Sequence, residues 1–228
     1  AFAPVLSKNK ICIVEDADRL TEAAANSFLK LLEEPPAGWL IILLASSEDK
    51  LLTTILSRVV KLRFNPLAVA DVKKLLLARG VDADASEVLA RISEGSVGTA
   101  LNLNEQNALE YRQTALSFLE ALPLEFPMNY VTDRTWVVKY ERAEAMLFVK
   151  LLQLLLRDML FIKTGVTVNL YNCDVQENLT ALSGGWQPQG LKRALAATND
   201  AYKALASSVG VKLVMENLAM KIDNFRKE

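Results

Sequence analysis

Residues 11–58 read ICIVEDADRLTEAAANSFLKLLEEPPAGWLIILLASSEDKLLTTILSR. Two short apolar runs, Ile11–Val14 and Leu40–Ala45, flank a segment with helical spacing. Neither run alternates cleanly with polar residues, which predicts parallel strands covered on both faces. A further β-branched run, Val59–Phe64 (VVKLRF), predicts a third strand. Between the first two, a helix is expected over Thr21–Glu33. Thr21 can cap it, Glu22 suits its positive end, and Ala24, Phe28, Leu31 and Leu32 share a face. Pro35 and Pro36 end it, because neither has an N–H and each restricts the residue before it. Strand, helix and strand at this spacing make a βαβ unit.

Outward from that stretch the pattern changes. Asn65-Pro66 marks a boundary. Three short helical patterns follow, at Val69–Arg79, Ala85–Ser93 and Val97–Asn102, with breaks at Gly80 and Gly95. From Asn104 onward only helical periodicity is visible. Helices are expected at Glu105–Ala121, Asp133–Lys163, Gln187–Ser207 and Val211–Phe225, with a shorter piece at Val175–Leu182. Pro123 and Pro127 separate the first two, and Ser183-Gly184-Gly185 precedes the next. Trp136, Tyr140, Ala143, Leu147, Leu151 and Leu154 recur at steps of three and four, the signature of a bundle helix. The expected fold class is therefore α/β plus all-α. Residues 1–65 form a partial parallel-sheet core, 66–103 a three-helix lid, and 104–228 a helical bundle.

Composition narrows the chemistry. At 228 residues and 51% hydrophobic content the chain can bury real cores. Lys+Arg 26 against Asp+Glu 27 leaves a net charge of -1, unlike a dedicated phosphate-backbone binder. There are no histidines, which excludes His-based acid–base catalysis, Ser-His-Asp or Cys-His nucleophiles, and His-ligated metals. Cys12 and Cys173 do not make a zinc site, and no metal site is expected in these residues. The most apolar run, Leu147–Ile162, is interrupted by Lys150, Gln153, Arg157 and Asp158, so it suits a buried bundle helix rather than a membrane span. A reduced, cytoplasmic setting is the expectation.

Three groups of residues can carry chemistry. Glu15, Asp16 and Asp18 follow the first strand, where carboxylates reach a ligand in the crevice of a parallel sheet. They read either as a Mg²⁺- and water-handling cluster or as a solvated turn. Ser46 and Ser47 follow the second strand, as a phosphate-sensing hydroxyl or as a plain strand-ending turn. Arg58 ends TTILSR, as a surface ion-pair residue or as an arginine that reaches a phosphoryl group outside its own domain.

Taken together, Val14–Pro36, Leu51–Arg58, Ile92–Leu101 (ISEGSVGTAL) and Val209–Ile222 (VGVKLVMENLAMKI) resemble the clamp-loader branch of the AAA+ proteins. Within that branch the likeness is nearest to the delta-prime subunits of bacterial DNA polymerase III. The resemblance is strong over Lys10–Leu101 and weaker to the end of the chain. It implies that residues 1–65 are the second half of an AAA+ core, and that 104–228 form a collar that joins a ring. It also implies a role in loading a sliding clamp onto primed DNA. The partners would be gamma/tau and delta subunits in a hetero-pentamer, the clamp, and the primed DNA. No cofactor is expected in this chain itself. ATP and Mg²⁺ would sit at interfaces with neighbouring subunits, and a zinc module would lie upstream of Ala1.

In the family, the arginine of a Ser-Arg-Cys motif reaches a neighbour's ATP. Here the motif reads Ser57-Arg58-Val59, so Arg58 is the implied finger, with Ser57 beside it. Glu15 and Asp16 stand in the positions of the family's Asp-Glu pair but in reversed order, which displaces each carboxylate by on the order of an ångström. Ser46 takes the sensor position, and Thr99 replaces a nucleotide-touching lid arginine. The implied reading is an ATPase-deficient subunit that supplies Arg58 in trans. The alternatives are a fragment of a catalytic gamma/tau-type ATPase and a purely structural helical assembly module. Polymerase chemistry is not expected from these residues.

Overall fold

The computed structural model describes residues 9–123 and 140–227. The chain divides at Asn65/Pro66 into two compact units.

In the first unit, strands β1 (Lys10–Val14) and β2 (Trp39–Leu43) pair in parallel, with Ile11 opposite Leu40 and Val14 opposite Leu43. Helix α1 (Glu22–Glu33) connects them. The Thr21 side chain accepts a hydrogen bond from the Ala24 amide at 3.3 Å, which satisfies one of the amides a helix start leaves free. Of the expected stripe, Phe28, Leu31 and Leu32 are half-buried, but Ala24 is exposed and Ala25 is buried in its place. After β2 come a 3₁₀ turn (Glu48–Lys50) and the single-turn helix α2 (Thr53–Leu56).

Two sequence expectations fail in this unit. The described residues do not cover the sheet on both faces: Ile11 and Ile13 are 62% and 57% exposed and Leu40 lies open beside them. Two strands and two helices, one of a single turn, supply too little apolar surface to bury both faces. The third strand is also absent: residues 59–65 have no regular structure. Val60 and Phe64 are each 90% exposed, and the intervening Lys61 and Arg63 turn to Glu48. β-branched composition favours a strand only where a neighbouring backbone offers a ladder, and the described residues offer none.

The second unit is helical: α3 (Val69–Leu77), α4 (Ala83–Ile92), α5 (Val97–Glu105), α6 (Ala108–Glu120), α7 (Arg142–Thr164), α8 (Gln176–Gly184), α9 (Pro188–Leu205) and α10 (Val211–Lys227). Three of its described starts are capped by side chains. Asp82 accepts from the Asp84 and Ala85 amides, Ser96 accepts from Thr99, and Glu141 and Glu144 form a capping box before α7. The break between α5 and α6 falls a few residues later than expected, at 106–107 rather than at 103–104. Asn107 adopts left-handed backbone (φ 53) there, a conformation asparagine tolerates better than most residues. Gly95 is required by its place: at φ +82, a Cβ would lie 2.6 Å from that of Pro66. The expected start of the long helix at Asp133, with Trp136 and Pro127, lies outside the described residues.

Helix α7 serves two cores. Leu147 and Leu151 pack with Val72, Leu76, Leu89, Ile92 and Leu103 of α3–α5. Phe148, Leu152, Leu155, Leu156 and Met159 pack with residues of α6, α9 and α10. Each fully buried leucine contributes about 1.5–3 kcal/mol. No described helix is long and apolar enough to cross a membrane.

Candidate functional site

Parallel pairing brings the carboxyl ends of β1 and β2 side by side, and the residues after them meet. The Leu44 amide donates to the Val14 carbonyl at 2.9 Å, and the Ala17 amide donates to Leu44 at 2.8 Å. This lock sets Asp18 against Ser46. The Ser46 hydroxyl donates to Asp18 Oδ2 at 2.6 Å, and its amide points at Oδ1 at 3.4 Å. The hydrogen bond from that hydroxyl holds the Asp18 carboxyl below its ordinary pKa. The acid that meets Ser46 is thus Asp18, not Glu15 or Asp16.

Glu15 and Asp16 do not converge on it. Asp16 has left-handed backbone (φ 50) and lies 3.7 Å from Arg19 across an exposed turn, and Glu15 is exposed. Among the described residues no group of three or more acidic or cysteine side chains could hold a metal ion.

Arg58 sits two residues beyond the end of α2, and its guanidinium is held on two sides. Nη1 donates to the Thr54 carbonyl at 2.9 Å and to the Ser57 hydroxyl oxygen at 3.1 Å. Ser57 in turn donates to Thr54 at 3.0 Å, so it buttresses the arginine. On the other edge, Nε and Nη2 lie 2.9 and 2.6 Å from Glu33 Oε1, at the end of α1. The pair is only partly shielded, at 35% and 48% side-chain exposure.

Thr99 lies elsewhere, in the helical unit. It lines a groove of about 300 Å³ with Asn102, Gln106, Lys150 and Tyr202. The two cysteines are free thiols, each half-buried.

Sequence reasoning missed Glu33 and Thr54. Glu33 belongs to the LLEEPP block, but its pairing with an arginine 25 residues on has no local signal. A charged network in the helical unit was missed as well. Arg112 forks onto Asp174 at 2.6 and 2.8 Å and donates to Asn172 at 2.7 Å. Asn172 donates its amide and side chain to fully buried Asp158, each at 2.8 Å. Arg157 completes the Asp158 site and lies over the Tyr171 ring, 4.2 Å from its centre.

Two family models match. One, described as DNA polymerase III, delta subunit, matches residues 1–68. The other, DNA polymerase III, delta subunit, C terminal, matches residues 106–223. DNA polymerase III subunit delta' of Bacillus subtilis is 27% identical over 95% of this chain and 66% of its own length. The Escherichia coli protein of the same name is 30% identical over 95% of this chain and 64% of its own length. Escherichia coli DNA polymerase III subunit tau is 31% identical over 46% of this chain and 17% of its own length. The chain thus spans just under two thirds of each delta' relative.

Proposed function

This chain belongs to the DNA polymerase III delta-subunit family, and we propose that it acts within a clamp loader as a subunit without ATP hydrolysis of its own. In this reading it joins gamma/tau and delta subunits through its C-terminal helices. The assembly places a sliding clamp on primed DNA in the bacterial cytoplasm. The chain's chemical contribution is Arg58, offered to ATP bound by a neighbour.

The observation that carries the reading is the mounting of Arg58. Thr54 and Ser57 hold one edge of the guanidinium through neutral oxygens, while the charge remains partly open to solvent. An arginine fixed on one edge is already oriented, so little side-chain freedom is lost when the other edge engages a phosphate. Its positive charge then offsets the negative charge that builds on the transferring phosphoryl group, an effect of about 10³–10⁵ in rate at the site served. The acidic residues after β1 support the absence of hydrolysis in cis. Asp18 is committed to Ser46, and Glu15 and Asp16 do not converge.

The test is Arg58→Ala in the full-length protein, assembled with its partner subunits. DNA-stimulated ATP hydrolysis should fall by the share of the one interface served, with assembly intact by gel filtration. Unchanged hydrolysis and clamp loading would remove Arg58 from the mechanism. The likeness to the tau subunit favours one alternative, a catalytic subunit. ATP turnover by the isolated full-length protein would support it instead.

A further inference from the structure

An arginine side chain has five N–H donors, and here three make hydrogen bonds within the same unit while Nη2 forms the ion pair. Nη1 uses its two on Thr54 and Ser57, Nε donates to Glu33 Oε1, and Nη2 lies 2.6 Å from that same oxygen. The two sides differ in kind. The Nη1 side meets neutral oxygens, which orient the group without cancelling its charge. The Nε/Nη2 side is an edge that forks onto carboxylates and phosphates, and a carboxylate already occupies it.

Glu33 stands at an unfavourable place for a carboxylate. It is the last residue of α1, where the exposed carbonyls make the helix end negative, and Glu34 follows it directly. Arg58 offsets that cost. The pair is open enough to solvent for its partner to be exchanged.

We infer that Glu33 is a positioning residue that parks Arg58, covering the edge that a phosphate would use until a more highly charged phosphate displaces it. The inference rests on the reading of Arg58 as acting in trans. A single carboxylate oxygen holds Nε and Nη2 together, whereas a terminal phosphate offers more charge and several oxygens. Exchange therefore runs toward the phosphate only when a neighbour brings one close. In the unassembled or loosely assembled state, Glu33 keeps the arginine from acting.

The experiment uses the full-length protein reconstituted with its partner subunits, with ATP hydrolysis measured both without and with clamp and primed DNA. Glu33→Gln keeps the size and an acceptor oxygen but removes the charge. It should raise the DNA-independent rate about twofold to fivefold, as expected for losing one partly exposed ion pair. The ratio of stimulated to unstimulated hydrolysis should fall accordingly. The rise should vanish in the double variant E33Q/R58A, which should match R58A alone. A merely structural role for Glu33 would lower both rates together and would not depend on Arg58. If R58A lowers stimulated hydrolysis while E33Q leaves the unstimulated rate unchanged or reduced, parking is wrong and the trans-acting arginine stands. If R58A changes nothing, both fail.

Discussion

Arg58 and Arg112 are both held by a carboxylate, in opposite surroundings. Arg58 meets Glu33 where the two side chains are 35% and 48% exposed. Arg112 meets Asp174 with side chains 10% and 37% exposed, and its other hydrogen bond runs inward to Asn172, which donates in turn to buried Asp158. The units around them differ in the same sense. Among the described residues, the α/β unit buries only Ala17, Ala25 and Ile55 as apolar side chains, whereas the helical unit builds two leucine-rich clusters on α7. A buried charge network resists exchange, because each displaced group has no water to turn to. An exposed one yields to any better partner. An arginine–carboxylate pair is scaffold in one unit and a replaceable contact in the other.

The strongest way to break this contrast is Asp158→Ala. The truncation leaves the Asn172 amide and side-chain N–H groups buried without an acceptor, at about 1–3 kcal/mol each. Arg157 is less affected, since it is partly exposed and keeps its ring contacts with Phe161 and Tyr171. The expected loss is about 3 kcal/mol of unfolding free energy, in line with removing one member of a buried ionic group. Urea denaturation of the full chain measures it. A loss under about 1 kcal/mol would mean that the network is no more structural than a surface pair.

The contrast also separates what could be read from the residues alone. Helix positions in the second unit were legible because their apolar spacing and glycine breaks are local, as at Gly80 and Gly95. The βαβ unit was legible for the same reason, through Thr21 and Pro35-Pro36. The Val59–Phe64 run misled because strand formation depends on a neighbouring backbone, which composition does not report. The break between α5 and α6 was read a few residues early, because the left-handed turn that places it at Asn107 has no periodic signal. At the candidate site, Arg58 and Ser57 could be nominated from a motif. The Asp18–Ser46 and Arg58–Glu33 pairs join residues 28 and 25 apart, so only the fold reveals them.

Tyr140 sharpens the comparison from the side of pH. It packs edge-on to Tyr111 and tilted against Phe148 in the helical unit, and burial pushes its phenol up to about 12. The folded chain then holds the phenolic proton more tightly than the unfolded chain. Tyr140 therefore contributes stability that is complete below pH 10 and is lost as pH rises from 10 toward 12. Tyr140→Phe should flatten part of that decline, read as thermal midpoints across pH 9–12. Tyr111 and Tyr171 are shifted the same way, also first by burial, so the decline should not vanish. An unchanged profile in the variant would place Tyr140 in water rather than in the bundle.

The smallest effect is expected at the pair that matters most for the proposed function. Glu33→Ala or Arg58→Ala should each cost under about 1 kcal/mol of stability, because an exposed pair gains little over its separate hydration. A double-mutant cycle isolates the pairwise part from the packing of either side chain. The coupling between Arg58 and Glu33 should be about 0.2–1 kcal/mol and should weaken further in added salt. The cycle on Arg112 and Asp174 should give a larger coupling that salt changes less, because Arg112 has little access to solvent and forks onto both carboxylate oxygens. A weak, salt-sensitive coupling at Arg58 is what allows a phosphate to take the place of Glu33 without unfolding anything. If the two couplings proved equal, Arg58 would be as fixed as Arg112. The α/β unit would then have no exchangeable arginine to offer a neighbour.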